Sequence, residues 1–426
     1  MKKLLTIILS VLISFASLPV YVFAEDFLDI KENRIAEQET AEVTDFAENP
    51  VVYAAASSSG GQWVQESNGR WWYKHADGSY TKYDWEYING SWYFFDKNGW
   101  MWTEWLQWEG NWYYLNPSGV MHTGWLKDDG KQYYFTMRGI MVTGWQVING
   151  AYYYFDSSGA MCTGWIKVNN KWYYMNADGS MRVGWIKLDG NWYYLNTDGS
   201  MRTGWIQLEN KWYYFNNSGV MLRGVQTIDG YGYYFASDGH MVNKSFTEGK
   251  RMFKFYSNGK IKYIKMKADR IKQGKYNWCW AASAAMIGNY ENGTSLTMQD
   301  VVTNVKGSLR DEGATTYEEK KALRYALPGK EIKTLQKNQI KFDTFAWYAN
   351  KNHPVFATVQ FYTLEPNFHA LVYLGYDRET ESVQVIDPAF NHPEYIEYSQ
   401  LMNNFPFKAT NGEVYHAETI YIHVYP

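Results

Sequence analysis

From residue 62 to 263 the apolar positions of this chain recur every 20 residues. Trp85, Trp105, Trp125, Trp145, Trp165, Trp185 and Trp205 mark the period, and Met101, Met121, Met141, Met161, Met181, Met201, Met221 and Met241 keep step with it. One unit runs Gly184-Trp185-Ile186-Lys187-Leu188-Asp189-Gly190-Asn191-Trp192-Tyr193-Tyr194-Leu195 and closes on Gly199 and Met201. Two short alternating runs flank Asp189-Gly190. That pattern predicts a hairpin, because a type I′ turn needs positive φ at both central residues. The turn sets Leu188 beside Asn191, Lys187 opposite Trp192, and Trp185 opposite Tyr194. Side chains alternate along a strand, so Trp185, Trp192 and Tyr194 share one face and Ile186, Leu188, Tyr193 and Leu195 the other. One hairpin cannot bury either face. Successive hairpins are expected to stack as a β-solenoid.

The period ends near Ile264, and the remaining 264–426 segment is long enough for one α/β or α+β domain with its own core. The Ala-rich stretch after Cys279 predicts a helix through about Tyr290, with Cys279 at its N-terminus. His369-Ala370-Leu371-Val372-Tyr373-Leu374-Gly375-Tyr376-Asp377 alternates like a half-buried strand. Ser382-Val383-Gln384-Val385-Ile386 predicts a second strand, ending at Asp387-Pro388. Hairpin geometry brings Asp387 back beside His369 and leaves Asp377 at the distant turn.

Composition changes the picture at the N-terminus. Lys2 and Lys3 precede an apolar run from Leu4 to about Val20, and Val22-Phe23-Ala24 supplies the small residues of a cleavage site. This predicts a secretory signal peptide over 1–24. No later stretch approaches the ~20 apolar residues of a membrane span. The acidic, then Ser/Gly-rich segment 25–61 reads as a flexible tether. Of the 21 Trp, 18 lie before residue 245, so a single homogeneous domain is excluded. The net charge of −3 provides no basic surface for nucleic acid. Two Cys exclude a disulfide scaffold and a Cys-based structural zinc site.

Candidate chemistry concentrates in the second half. A helix N-terminus favours a thiolate at Cys279. Its base would come from His353, His369, His392, His416 or His423. His369, with Asp387 beside it, fits best. His353 and His392 each precede a proline and read as loop residues, while His416 and His423 are expected to face out of terminal strands. Cys162 fills a slot taken elsewhere by Trp102, His122, Val142, Arg182, Arg202, Leu222 and Val242. The slot therefore reads as unconstrained and Cys162 as incidental.

On the motif Gly-Trp…Trp-Tyr-Tyr…Gly-x-Met, residues 62–263 resemble the choline-binding repeats of Gram-positive surface proteins. The resemblance implies that a quaternary ammonium is caged by two Trp of one repeat and an aromatic of the next. Carried over, the pairs are Trp85/Trp92, Trp105/Trp112, Trp165/Trp172, Trp185/Trp192 with Tyr194, and Trp205/Trp212. The units beginning at Trp125 and Trp145 depart from the pattern, with Gln132 and Tyr152 in second place. The last unit, with Val225 and Gly232, reads as a terminal cap without a cage. A choline nitrogen cannot donate a hydrogen bond, and each aromatic face offers it ~0.5–2 kcal/mol. Trp faces also stack on sugars, so choline and glycan both stand as ligands. The implied partner is choline-decorated teichoic acid or another cell-wall polysaccharide, holding a secreted protein non-covalently on the wall.

Residues 264–426 resemble the papain-like cysteine peptidases, particularly the bacterial branch related to bacteriocin-leader peptidases. The resemblance rests on Gln273-x5-Cys279, the Trp278-Cys279-Trp280-Ala281-Ala282 run, and His369…Asp387 in that order. It implies Cys279 as nucleophile, His369 as base then acid, Asp387 as orienting residue and Gln273 as oxyanion-hole donor. A peptide or protein is the implied substrate, and no metal or organic cofactor is implied. Many family members carry Asn in the third place; Asp fits the bacterial branch. Two other classes stand beside this one. A peptidoglycan amidase or endopeptidase would use similar chemistry, but no Asp-Cys-Ser-Gly or Gln-Cys-Thr-Trp motif surrounds Cys279. A non-catalytic adhesin is opposed by the intact set of four. The expected architecture is multidomain: a β-hairpin solenoid of 20-residue repeats followed by an α+β papain-like domain.

Overall fold

The computed structural model describes residues 60–361, 367–389, 394–403, 405–408 and 414–425. The expected signal peptide and nearly all of the expected tether lie outside them. The described residues fall into two compact units. One extends to Gly184 and takes in Leu195–Met201, and the other comprises Trp185–Tyr194 and the chain from Arg202 onward.

The repeats fold as hairpins in the register the turn dictates. Trp165 pairs with Tyr174 and Lys167 with Trp172, and Trp205 and Gln207 pair likewise with Tyr214 and Trp212. Both turn residues have positive φ, as at Asp189 (47°) and Gly190 (81°). Each early hairpin is its own two-stranded sheet, followed by a lone bridge such as Leu115↔Met121. The repeats are thus separate hairpins, not a closed, continuously bonded solenoid.

Within the first unit neighbouring hairpins join through a backbone bond and aromatic contacts. The Met141 N–H donates to the Trp112 carbonyl at 2.8 Å, and the Trp105 ring meets Tyr133 edge-on at 4.8 Å. The last residue of the second strand, Leu115, Phe135, Phe155 or Met175, is fully buried. Two constraints explain the periodic Gly. Gly179 has φ 84°, and a Cβ there would run into the Met161 side chain.

In the second unit, ten described strands form one sheet: β1 (Phe246–Glu248), β2 (Arg251–Phe255), β3 (Ile261–Met266), β4 (Lys333–Gln336), β5 (Val355–Phe361), β6 (Asn367–Asp377), β7 (Ser382–Ile386), β8 (Tyr395–Glu397), β9 (Phe405–Lys408) and β10 (Val414–Val424). The main path runs β1-β2-β3-β6-β5-β10-β4, with β7 and β8 branching from β6 and β9 lying on β10. Five α-helices accompany it among the described residues: α1 (Cys279–Asn292), α2 (Met298–Lys306), α3 (Thr316–Ala326), α4 (Phe342–Asn350) and α5 (Tyr398–Asn403). One apolar cluster joins α1, α2 and α3 to Phe356, Val372 and Leu374 of the sheet, and a second gathers Phe345 and Leu401 with Val359, Leu371 and Tyr373. Strands β1 and β2 and the first half of β3 come from residues that the 20-residue period assigns to the repeats. They join the sheet through Tyr263↔Asp377 and Ile264↔Tyr376. Any side chain at Gly375 would collide with the Ile264 carbonyl, which accounts for the glycine.

Candidate functional site

The predicted helix starts at Cys279 itself, and Trp278, its N-cap residue, offers no side-chain cap. First-turn N–H groups have no intrahelical carbonyl, so Cys279 stands where such donors are open. Both flanking indoles are pinned by the loop between α2 and α3. Trp278 Nε1 donates to the Arg310 carbonyl at 2.7 Å, and Trp280 Nε1 to that of Glu312 at 3.2 Å. The Asn277 N–H donates to Asp311 Oδ1 at 2.6 Å, and Tyr276 stacks on Trp278 at 4.2 Å. Sequence reasoning assigned no role to this loop. The signal it passed over was the indoles themselves, since a buried Trp N–H needs an acceptor.

His369 sits in β6 opposite Val359 and is 5% exposed. Its Nε2 lies 2.8 Å from Asp387 Oδ1, just beyond the end of β7. The same oxygen accepts the Ala389 N–H at 2.7 Å, and Arg270 Nε donates to the Asp387 carbonyl at 2.5 Å. The Cys279 sulfur lies close enough to His369 to act on the imidazole. Burial pulls the imidazole pKa down. The Asp387 charge, the Cys279 sulfur and the hydrogen bonds to both outweigh it and push the pKa up to about 10. Gln273 reaches the same region: its N–H donates to the Pro388 carbonyl at 3.1 Å, and its Nε2 to the Tyr276 carbonyl at 2.9 Å. Its Oε1 is buried without a hydrogen-bond partner among the described residues. The four residues singled out from the sequence therefore converge on the start of α1 and the adjoining ends of β6 and β7.

The other histidines fall elsewhere. His353 Nδ1 lies 2.9 Å from Glu291 Oε1. His423 corrects the expectation of an outward residue: it is fully buried, with Nε2 3.2 Å from Glu319 Oε2. The terminal strand pairs on both sides, with β4 and β5, and this buries alternate residues. His392 and the His416 side chain lie outside the described residues.

In the repeats the two Trp of a unit differ in environment. The first is packed: Trp105 contacts Tyr114, Tyr133 and Phe135, and Trp185 contacts Tyr194 at 5.2 Å and Tyr213 at 5.1 Å. The second is open in two units, where Trp112 and Trp172 are each 41% exposed, and half-buried at Trp92, Trp192 and Trp212. The rings stand 6.0–6.4 Å apart and nearly perpendicular in Trp105/Trp112, Trp165/Trp172, Trp185/Trp192 and Trp205/Trp212. In the Trp85/Trp92 unit, Trp92 packs on Tyr87 at 5.2 Å and Trp85 on Phe94 at 5.4 Å. Lys167 and Lys187 already place ammonium groups over Trp172 and Trp192, 5.9 Å from the ring centroids. One pair escaped the sequence reading. Trp63 pairs with Tyr73, Gln65 with Trp71, and the Met101 N–H donates to the Trp71 carbonyl. Trp71 thus occupies the second-Trp place, hidden by a longer turn that breaks the period. The slot of Cys162 is also less free than it reads. Trp102, His122 and Arg202 each bond there to the carbonyl of the Trp three residues on. Burial and Asp156 raise the Cys162 thiol pKa.

Residues 82–121, 103–142, 142–183 and 182–224 match the model of the choline-binding repeat, and residues 260–412 that of the Peptidase C39 like family. Comparison with curated proteins finds no match. Among solved structures, CbpJ from Streptococcus pneumoniae TIGR4 is 30% identical over 47% of this chain and 94% of its own, with a TM-score of 0.34. Choline binding protein F from Streptococcus pneumoniae is 27% identical over 48% and 99%, with a TM-score of 0.37. The modular autolysin LytC from Streptococcus pneumoniae is 25% identical over 51% and 49%, with a TM-score of 0.40. The chain carries choline-binding repeats followed by a peptidase C39-like domain.

Proposed function

We propose that this is an exported cysteine peptidase, held non-covalently on the cell wall by its repeats and acting through Cys279, His369 and Asp387 in a papain-like domain. The observation that carries the reading is the chain of contacts from Cys279, at the start of α1, through His369 to Asp387. With Nε2 committed to Asp387, Nδ1 is the ring nitrogen that serves the thiol. The Cys279 thiolate attacks the peptide carbonyl and forms the new S–C bond. The Cys279 N–H and the Gln273 amide stabilise the oxyanion, and one such donor contributes ~10²–10³ in rate. The His369 imidazolium gives its proton to the leaving amine as the C–N bond breaks. It then takes one from water, and the resulting hydroxide releases the acyl group. Asp387 holds the ring in orientation throughout.

For the repeats we propose cages for a quaternary ammonium at Trp105/Trp112, Trp165/Trp172, Trp185/Trp192 with Tyr194, Trp205/Trp212, Trp85/Trp92 and Trp63/Trp71. The lysine ammoniums over Trp172 and Trp192 support it, since those faces already receive a cation. One cage is weak, and several on one repetitive polymer gain by avidity. Casein zymography beside purified sacculi tests the peptidase reading: clearing of casein that disappears in Cys279→Ala supports it, and clearing of sacculi alone transfers the enzyme to the wall-hydrolase class. Millimolar choline should elute the protein from walls. Elution by a glycan and not by choline replaces the ammonium assignment with a carbohydrate one.

A further inference from the structure

We propose that Ser283 is a positioning residue that sets the distance between Cys279 and His369; this rests on the peptidase reading above. Ser283 lies four residues after Cys279, one helical turn along the same side of α1. It is fully buried, and its Oγ donates to the Ala370 carbonyl at 3.2 Å. Ala370 is the residue after His369 in β6. The bond therefore closes a ring: Cys279, a turn of α1, Ser283, Ala370, His369, and back to the thiol. Every link except the reactive contact is covalent, helical or held by this hydroxyl.

The composition of α1 argues that the hydroxyl is there for this bond. Ala281, Ala282, Ala284 and Ala285 surround it, all fully buried. Alanine at 283 would raise helix propensity and fit the same space. A hydroxyl among them is costly unless it is hydrogen-bonded. Alanines alone let α1 approach the sheet closely but leave it free to slide. Ser283 fixes where along β6 the helix stops, and so where Cys279 meets the imidazole.

The test uses the full chain and three readouts on wild type, Ser283→Ala and Ser283→Thr: kcat and KM on a peptide substrate, thermal melting, and the pH profile of iodoacetamide alkylation at Cys279. Cys162, read in the same mass spectra, is the internal reference. Ser283→Ala is expected to lower kcat about tenfold to a hundredfold, the scale of a misplacement near 1 Å, with KM within about twofold. Alkylation of Cys279 near pH 6 should fall by a similar factor while Cys162 is unchanged, and Ser283→Thr, which keeps a hydroxyl, should recover much of both. A lower melting temperature with unchanged kcat and alkylation profile reduces Ser283 to a packing residue and overturns the proposal. If Ser283→Ala does not fold, Ser283→Cys decides by the same readouts, since it is near-isosteric with a weaker donor: wild-type kcat and alkylation overturn the proposal. A wild type that neither hydrolyses peptide nor alkylates faster at Cys279 than at Cys162 removes the peptidase reading itself, whatever the variants do.

Discussion

A methyl group added to Gly232 would lie 2.8 Å from the side-chain amide of Asn350. Gly232 belongs to the hairpin of residues 224–235, at the place where other units carry Trp112, Trp172 or Trp212; Asn350 ends α4. The absence of the second Trp and the approach of the helix are thus one fact. Arg378 adds a bond from Nη2 to the Gly230 carbonyl at 3.1 Å, and Tyr234 donates to Glu248 at 2.6 Å. The last hairpin packs on the domain that carries Cys279.

A chain beginning at residue 264 should therefore fold poorly, and one beginning near Gly224 should fold well. The shorter chain loses Phe253 and Ile261, both fully buried, together with Tyr263, the partner of Asp377 on the β3 side of β6. Each buried apolar side chain contributes ~1.5–3 kcal/mol, against a net stability of about 5–15 kcal/mol for a domain. Thermal melting by circular dichroism compares the two. Equal melting temperatures would show that β1–β3 are dispensable.

The two Trp of a cage should separate in their effects. Trp172→Ala removes an exposed ring, so one choline site should weaken about twofold to thirtyfold, the range of a lost cation–π contact, with little change in melting. Trp165→Ala removes a ring packed on Tyr174 at 5.2 Å and should lower the melting temperature as well. Trp71→Ala should behave like Trp172→Ala although the 20-residue period does not mark it. Calorimetric titration with choline gives site number and affinity. Loss of binding in Trp165→Ala but not in Trp172→Ala would invert the assignment.

Gly179→Ala and Gly130→Ala make a matched pair. Both glycines have positive φ, but a Cβ at Gly130 meets nothing within 4 Å while one at Gly179 strikes Met161. Backbone strain alone costs ~1–3 kcal/mol, and Gly179→Ala should cost more than Gly130→Ala by the collision. Denaturant midpoints measure the difference, and equal losses would mean that Met161 yields without cost.

The pH profile should report on His369. Its pKa is lowered by burial and raised further by Asp387, Cys279 and their hydrogen bonds, to about 10. In the proposed mechanism an imidazolium protonates the leaving amine, so activity should be lost on the alkaline side as that proton leaves. The alkaline limb of kcat/KM, which reads the free enzyme, should lie well above the ordinary histidine value near 6.5. Asp387→Asn removes the first of the raising influences, so the limb should move to lower pH while some turnover survives. A limb unmoved in Asp387→Asn would detach Asp387 from the ring.

Much of this was legible because it is local. Asp189-Gly190 fixes its own turn, and a turn fixes register, so the pairing of Lys167 with Trp172 follows from sequence alone. The start of α1 at Cys279 and the meeting of Asp387 with His369 are equally short-range inferences, one from composition and one from a hairpin. The misses are non-local. His423 looks like an edge residue until β10 is seen between β4 and β5, which buries it against Glu319. The turn between β2 and β3 keeps the repeat's spacing at Gly259, yet β3 pairs with β6, more than a hundred residues on. Nothing near Trp278 in sequence announces that Arg310 will accept its indole proton.

The central claim is that Cys279 is the nucleophile, and it is tested most directly by active-site titration of the full chain with a thiol-directed peptide probe, alongside peptide turnover. Wild type and Cys162→Ser should each incorporate one equivalent of probe and lose turnover in proportion, while Cys279→Ala incorporates none and turns over nothing. Full hydrolysis by Cys279→Ala, or stoichiometric loss of activity through Cys162, would contradict the account.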